Sequence, residues 1–171
     1  MICSQRRQSL SFVERKEFSK QIVERLSDLK LDGQIMSYYP FRDEADVLPF
    51  NIRMHAAYPV IKENGEMDCF LCDEDYFIEN RYHIPEPDPE TSFRLKKESL
   101  SAIIIPCVGF DEKLNRLGHG KGYYDRYLKD YKGLKIAVAF EAQKLDEIVT
   151  DEYDIQMDLI LTEKQIYQKR S

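Results

Sequence analysis

A continuous apolar run, Ala102-Ile103-Ile104-Ile105, stops at Pro106. Soon after it comes Gly109-Phe110-Asp111-Glu112-Lys113-Leu114-Asn115-Arg116-Leu117-Gly118-His119-Gly120-Lys121-Gly122-Tyr123-Tyr124-Asp125-Arg126. The run is mostly β-branched and has no polar alternation, so it suits a strand buried on both faces. Four of the chain's seven glycines lie in the segment that follows, three of them alternating at Gly118, Gly120 and Gly122. From Tyr123 to Tyr131 the spacing turns helical, with Tyr124, Tyr127 and Leu128 apolar between Asp125, Arg126, Lys129 and Asp130. Buried strand, glycine loop and helix in that order present free backbone N–H groups and a helix N-terminus to an anion.

The side chains agree with an anion. Lys113, Arg116, His119, Lys121 and Arg126 concentrate positive charge in a chain whose net charge is −6. Glycine lets backbone approach a phosphate closely. Arg116 offers a bidentate fork and Lys121 a point charge. The spacing matches neither Gly-x-x-x-x-Gly-Lys-Ser/Thr nor Gly-x-Gly-x-x-Gly. On spacing alone two readings stand: a solvated turn with scattered basic residues, or a polyphosphate cradle.

The rest of the chain fits one α/β domain over residues 1–171, three α/β/α layers around a mainly parallel sheet. The acidic balance argues against nucleic acid or an anionic membrane as partner. No apolar leader follows Met1, and no run approaches the ~18 apolar residues of a membrane span, so a cytoplasmic protein, monomer or weak dimer, is expected. Cys3, Cys69, Cys72 and Cys107 read as reduced thiols. Cys69-Phe70-Leu71-Cys72 has metal-ligand spacing, yet in a strand its two thiols point to opposite faces and no second pair matches them.

Periodicity and capping predict a helix from Ser11 to about Lys30, with Ser11 and Glu14 as a capping box. A strand follows over Ile35–Tyr39, then a short helix from Glu44 to about Arg53 that Pro49 threatens to split. Ala56–Ile61 and Met67–Cys72 read as strands, with Asn64-Gly65 a turn signal between them, the second being a hairpin partner or an adjacent strand. Pro85, Pro87 and Pro89 make Tyr82–Thr91 an extended loop. Leu134–Phe140 is another buried strand, Leu145–Val149 a helical turn, and Leu159–Thr162 a last strand before a polar tail. In such sheets ligands gather at the carboxyl ends of strands, here the loops after Tyr39, Pro106 and Phe140.

Phe110-Asp111 together with Asn115-Arg116-Leu117-Gly118-His119-Gly120-Lys121-Gly122-Tyr123-Tyr124-Asp125-Arg126 resembles the signature of the 5-formyltetrahydrofolate cyclo-ligases, also called methenyltetrahydrofolate synthetases. Tyr38-Tyr39-Pro40 with Glu44-Ala45-Asp46, Ile84-Pro85-Glu86-Pro87, and Phe140-Glu141-Ala142-Gln143 extend the resemblance over nearly the whole chain. One position departs: the family has glycine where this chain has Leu114. The resemblance implies ATP, a reduced folate and magnesium. It implies that Arg116, Leu117, Gly118, His119, Gly120, Lys121, Gly122, Tyr123 and Tyr124 hold the nucleotide, with Arg116, Lys121 and Tyr123 acting on the reacting groups. Tyr39, Glu44, His119 and Tyr123 would face the folate, and Asp125 and Asp154 would hold magnesium. A carboxylate at Glu44 suits a pterin edge rich in N–H donors, and magnesium takes hard oxygen ligands. Without the resemblance, Tyr39 reads as core, Glu44 as a helix-dipole charge, and Asp125 and Asp154 as surface carboxylates. Asp111, Asp158 and Glu163 are further acidic candidates, the last two with structural roles. Gln143 would contact nucleotide or orient a loop. His55 and His83 have no triad-like context.

The implied reaction is phosphorylation of the formyl oxygen by ATP, attack by the 10-nitrogen, and ring closure to 5,10-methenyltetrahydrofolate with release of ADP and phosphate. Two other classes stay in play. One is a sugar-phosphate isomerase or coenzyme A transferase on a related fold, against which stands the lack of a Glu or His base beside the loop. The other is a catalytically weakened folate- or nucleotide-binding paralogue: the family's first helix opens with a Lys and an Arg that reach ATP, and Arg6 and Arg7 do not map onto them.

Overall fold

Ser11 and Glu14 begin the first long helix as their spacing predicts. In the computed structural model, which describes residues 2–169, the Ser11 side chain accepts the Glu14 N–H at 3.1 Å, and the Glu14 carboxylate accepts the Ser11 N–H at 2.7 Å. Met1, the start of the segment read as lacking an apolar leader, and Arg170 and Ser171 of the polar tail lie outside the described residues. A helix unforeseen in the sequence, α1 (Ile2–Ser9), precedes the long helix α2 (Phe12–Asp28). Strand β1 is only Ile35–Met36, shorter than expected, although the Ser37 N–H still donates to Ala57 at 2.9 Å. Helix α3 (Leu48–Met54) carries Pro49 in its first turn, where a missing N–H costs nothing; Pro49 starts this helix and Glu44 lies outside it.

Strands β2 (Tyr58–Ile61) and β3 (Met67–Leu71) form the expected antiparallel hairpin. The proline-rich stretch is not the plain loop that its sequence predicts. Strand β4 (Phe77–Glu79) pairs antiparallel with β5 (Pro85–Pro87), in which only Glu86 has an N–H to place. A two-stranded ribbon tolerates such a strand because it needs few ladder donors. Strand β6 (Phe93–Leu95) then adds to β3. Strand β7 (Ala102–Pro106) leads to β8 (Gly109–Phe110) and β9 (Arg116–Leu117), a small antiparallel pair, and helix α4 (Tyr123–Leu128) ends before the expected Tyr131. After β10 (Leu134–Val138) the helical turn lies at Glu141–Gln143 instead of 145–149. Strand β11 (Leu159–Leu161) is followed by a further strand, β12 (Ile166–Gln168).

The central sheet runs β1-β7-β10-β11-β12, the first four strands parallel and the last antiparallel. Alternation along β7 divides its side chains between two cores. Ala102 and Ile104 join Ile22 and Leu26 of α2 and Phe50 of α3, whereas Ile103 and Ile105 join Leu128 of α4 and Met67 and Cys69 of β3. The sheet is thus covered on both faces, and β7 is buried on both, as its unbroken apolar run requires.

The connection from β8 to β9 is organised by Asp111, which is fully buried. Its carboxylate accepts the N–H groups of Lys113 and Asn115 at 3.0 Å each, the Asn115 side-chain amide at 3.1 Å, and the Ile148 N–H at 2.9 Å. Leu114, where the resemblance has glycine, adopts φ +68°, the left-handed region that favours glycine. Its side chain is 2% exposed and sits in the α4-side core. Left-handed backbone costs a non-glycine residue about 1–2 kcal/mol, less than the ~2–5 kcal/mol lost when a buried leucine is truncated. Leu114→Gly should therefore destabilise the protein by about 1–3 kcal/mol in urea unfolding, and Leu114→Ala by more, because alanine loses the packing and keeps the strain. Greater stability for the alanine variant than for the glycine variant would contradict this balance.

Candidate active site at the carboxyl edge of the sheet

The chain leaves β7 at Cys107, and one buried side chain fixes its path. Gln143 donates to the carbonyls of Cys107 at 2.7 Å and Val108 at 3.0 Å, and accepts the Phe140 N–H at 2.8 Å. Of the two roles considered for Gln143, loop orientation is the one its bonds serve. Cys107 is buried, and that burial pushes its thiol up to about 12.

Beyond this turn Arg116 lies beneath the glycine segment, its side chain only 4% exposed. Nη2 donates to Oδ1 of Asp125 at 3.2 Å, the guanidinium packs over the Tyr124 ring at 5.7 Å, and Nε is buried with no partner among the described residues. A Cβ at Gly118 would stand 3.0 Å from Nη1 of Arg116, so a side chain there would crowd the guanidinium. Leu117 is half-buried, while His119, Gly120 and Lys121 are exposed. Gly122 enters α4 at φ +67°, and a Cβ there would meet Nη1 of Arg126 at 2.9 Å. The Tyr123 hydroxyl lies 2.9 Å from that of Tyr82 and accepts from Arg81 at 3.4 Å. The Tyr82 hydrogen bond, then Arg81, lowers the Tyr123 pKa, whereas burial raises that of Tyr124.

The loop after β1 faces this segment. Tyr38 donates to the Ala45 carbonyl at 2.7 Å and its own carbonyl accepts Asn51 Nδ2 at 2.9 Å, so residues 38–45 form a closed arch. Within it Glu44 accepts the Phe41 N–H at 3.0 Å. Burial raises the Glu44 carboxyl to about 7, against the pull of the Phe41 N–H and of Arg7. Tyr39 packs against Tyr58 of β2 at 6.3 Å and against Phe77 at 5.7 Å, the latter on the β4–β5 ribbon whose tip carries Tyr82. That ribbon thereby joins the Tyr39 side of the cleft to Tyr123.

Arg7 has no place in the sequence-based site, yet it is 6% exposed and pairs through Nη2 with Oδ1 of Asp43 at 2.9 Å. Desolvation first, and then the charge of Arg7, lowers the His119 pKa. The one available signal was the i, i+4 spacing of Cys3 and Arg7, which puts both on the buried face of α1.

The carboxylates expected to hold magnesium lie on adjoining segments. Oδ1 of Asp125 accepts the Ile155 N–H at 3.3 Å, next to Asp154, whose Oδ2 accepts the Asp151 N–H at 2.8 Å. Each keeps one oxygen without a hydrogen bond among the described residues, and no group of three or more His, Cys, Asp or Glu gathers there that could hold a metal. Two hard carboxylates fit magnesium that takes its other ligands from phosphate and water. Asp158 and Glu163 cap backbone N–H groups of Lys135 and Glu141, as structural residues do. His55 ends α3, and His83 pairs with exposed Glu79. A concavity of about 650 Å³ lies apart between β3, β6 and α4. Its ions satisfy each other, Lys62 and Arg94 both pairing with Asp68 at 3.1 and 2.9 Å.

Comparison with known proteins agrees with this architecture. The family model of the 5-formyltetrahydrofolate cyclo-ligases matches residues 4–163. The 5-formyltetrahydrofolate cyclo-ligase of Mycoplasma pneumoniae is 28% identical over 172 residues, spanning 94% of this chain and 93% of that protein. The solved structure of Aquifex aeolicus 5,10-methenyltetrahydrofolate synthetase superposes with a TM-score of 0.83 at 30% identity, covering 100% of this chain and 96% of that one. That of a 5,10-methenyltetrahydrofolate synthetase from Mycoplasma pneumoniae gives 0.77 at 26% identity, covering 94% of each. No helix among the described residues is long and apolar enough to cross a membrane. With its sheet order, its glycine segment and a family match over almost its full length, the chain belongs to the 5-formyltetrahydrofolate cyclo-ligase family.

Proposed function

We propose that this chain, acting as one domain, catalyses the ATP-dependent ring closure of 5-formyltetrahydrofolate to 5,10-methenyltetrahydrofolate, with release of ADP and phosphate. The observation that carries the reading is a buried guanidinium with spare donors, Arg116, under a glycine segment that faces a half-buried carboxyl, Glu44. One side suits phosphate and the other the N–H edge of a pterin.

The formyl group on N5 is amide-like and a poor electrophile, so its oxygen has to become a leaving group. In the proposed sequence that oxygen attacks the γ-phosphorus of ATP, the bond to the bridging oxygen breaks, and ADP departs. N10 then attacks the formyl carbon and loses its proton, and the carbon–oxygen bond breaks to release phosphate. The protein's part is positioning and charge neutralisation. Backbone N–H groups from Leu117 to Tyr124, with Arg116, His119 and Lys121, hold the triphosphate. Tyr39 packs on the pterin, Glu44 accepts its N–H groups, and Tyr123 approaches the formyl group. Magnesium, held by Asp125 and Asp154 with the nucleotide, supplies charge neutralisation at the phosphates.

Formation of the methenyl chromophore should require ATP and magnesium together. Asp125→Asn should raise the magnesium needed for half-maximal rate at least ~10-fold, equivalent to one lost ion contact of about 1.4 kcal/mol. Asp130→Asn, just past the same helix, should change it less than ~2-fold. Equal responses would remove Asp125 from the metal site.

Arg116→Lys replaces a fork by a point charge and should cost about 1.5–3 kcal/mol, roughly ten- to a hundredfold in rate. Unchanged kinetics together with unchanged calorimetric affinity for an ATP analogue would exclude Arg116 from the site.

Glu44 sets a pH dependence. Its carboxyl is raised to about 7, so below that pH the free protein holds a proton that a pterin-accepting carboxylate must lose. Folate affinity should rise with pH, approaching ~10-fold per unit well below pH 7, and level off above it. Glu44→Gln should flatten the profile. For folding the sign is opposite: the native state binds the extra proton between about 4.5 and about 7, so this group's contribution to stability is lost as pH rises across that window. A wild-type folate affinity independent of pH from 5.5 to 8.5 would contradict the assignment.

A further inference from the structure

We propose that Arg7 is a further substrate-contacting residue, whose guanidinium binds an oxygen of the phosphoryl group as it passes from nucleotide to formyl oxygen. The proposal rests on the ATP reading above and adds a residue that neither the glycine signature nor the folate arch contains.

Arg7 sits on a short, mostly polar helix, where an arginine would ordinarily extend into water. Its neighbour Arg6 is exposed and reaches only the Lys144 carbonyl at 2.8 Å. Arg7 instead turns inward and is 94% covered, counting from its exposure of 6%. Helix α1 docks closely enough that a Cβ on Gly109 would meet the Cys3 sulfur at 3.0 Å. Cys3 and Arg7 are one turn apart on that docked face.

The buried guanidinium is incompletely answered. Asp43 takes Nη2 at 2.9 Å, while Nε of Arg7 and Oδ2 of Asp43 are both buried with no hydrogen-bond partner among the described residues. A buried ionic donor without an acceptor is costly, and a bound oxyanion is the acceptor such a donor lacks. Arg116 repeats the pattern: a buried guanidinium with one nitrogen on a carboxylate and Nε unmatched. The buried thiol of Cys107, at the end of β7, lies within the electrostatic reach of both.

Position identifies the anion. The charge of Arg7 acts on Glu44, assigned to the pterin, and on His119, assigned to the nucleotide. A cation within electrostatic reach of both groups, held on the arch by Asp43 at 2.9 Å, is near enough to serve a phosphoryl that passes from one ligand to the other. Its three equatorial oxygens suit two guanidiniums approaching from different elements.

The rival role is mechanical: Arg7 only tethers α1 to the arch through Asp43. Steady-state kinetics of Arg7→Gln, Arg7→Lys and Asp43→Asn, with calorimetric titration of a non-hydrolysable ATP analogue, separates the two. Arg7→Gln should lower kcat about 100-fold and analogue affinity about 10-fold, with the folate KM changed less than ~3-fold. Asp43→Asn, which breaks the tether and keeps the cation, should lower kcat less than ~5-fold. Arg7→Lys keeps the charge beside Asp43 and carries the test if the glutamine variant does not fold; it should lose about 10-fold in kcat at unchanged melting temperature. Asp43→Asn matching Arg7→Gln, or Arg7→Lys at the unsubstituted rate, would overturn the assignment of Arg7 alone. Product formation by the unsubstituted chain without ATP would overturn the ATP reading, and Arg7 with it.

Discussion

Four N–H groups converge on the Asp111 carboxylate, and the geometry of the glycine segment depends on that convergence. With Asp111 fixed, β8 and β9 pair and Leu114 is held left-handed in the core, two residues before Arg116. The same carboxylate takes the Ile148 N–H, so the chain after β10 is tied to the chain after β7. Gln143 makes the second tie, to Cys107 and Val108. Buried acceptors of this kind are costly to leave unmatched, and that cost is what makes the backbone path unique.

Upon this frame the proposed site concentrates positive charge inside a protein whose net charge is −6. Arg116 and Arg7 are both buried, and each is balanced by a single carboxylate, Asp125 and Asp43. A buried ion pair contributes little net stability, since desolvation offsets most of the attraction. The pairs are better understood as holding cations ready where water cannot screen them. Burial acts in the opposite sense on Glu44, keeping a carboxyl near neutrality until a ligand offers it hydrogen bonds.

The sequence made some of this legible for definite reasons. The unbroken Ala102–Ile105 run gave a strand buried on both faces, and Ser11 with Glu14 gave the start of α2, because each signal is local and nearly unique in cause. Helix α1 was hidden because its buried face holds Cys3 and Arg7, not an apolar stripe; docking on Gly109 stabilises it, and docking is not a local property. The β4–β5 ribbon was hidden by Pro85 and Pro87, which remove donors that a two-stranded ribbon does not need. Pro49 read as a break because its position relative to the helix start depends on where residues 44–47 bend. At the site, residue types pointed to Glu44 and Arg116, but the burial that sets the state of the first and the pairing that holds the second are tertiary facts. Arg7 had no motif to mark it.

The most direct test of the central claim follows one oxygen atom. With 5-formyltetrahydrofolate carrying oxygen-18 in its formyl group, turnover in the presence of ATP and magnesium should place one heavy oxygen in each inorganic phosphate released, read by mass spectrometry. The label moves there because the formyl oxygen bonds to phosphorus and leaves with it. Heavy oxygen appearing in water, with unlabelled phosphate, would show that the formyl oxygen is never phosphorylated and would contradict the account.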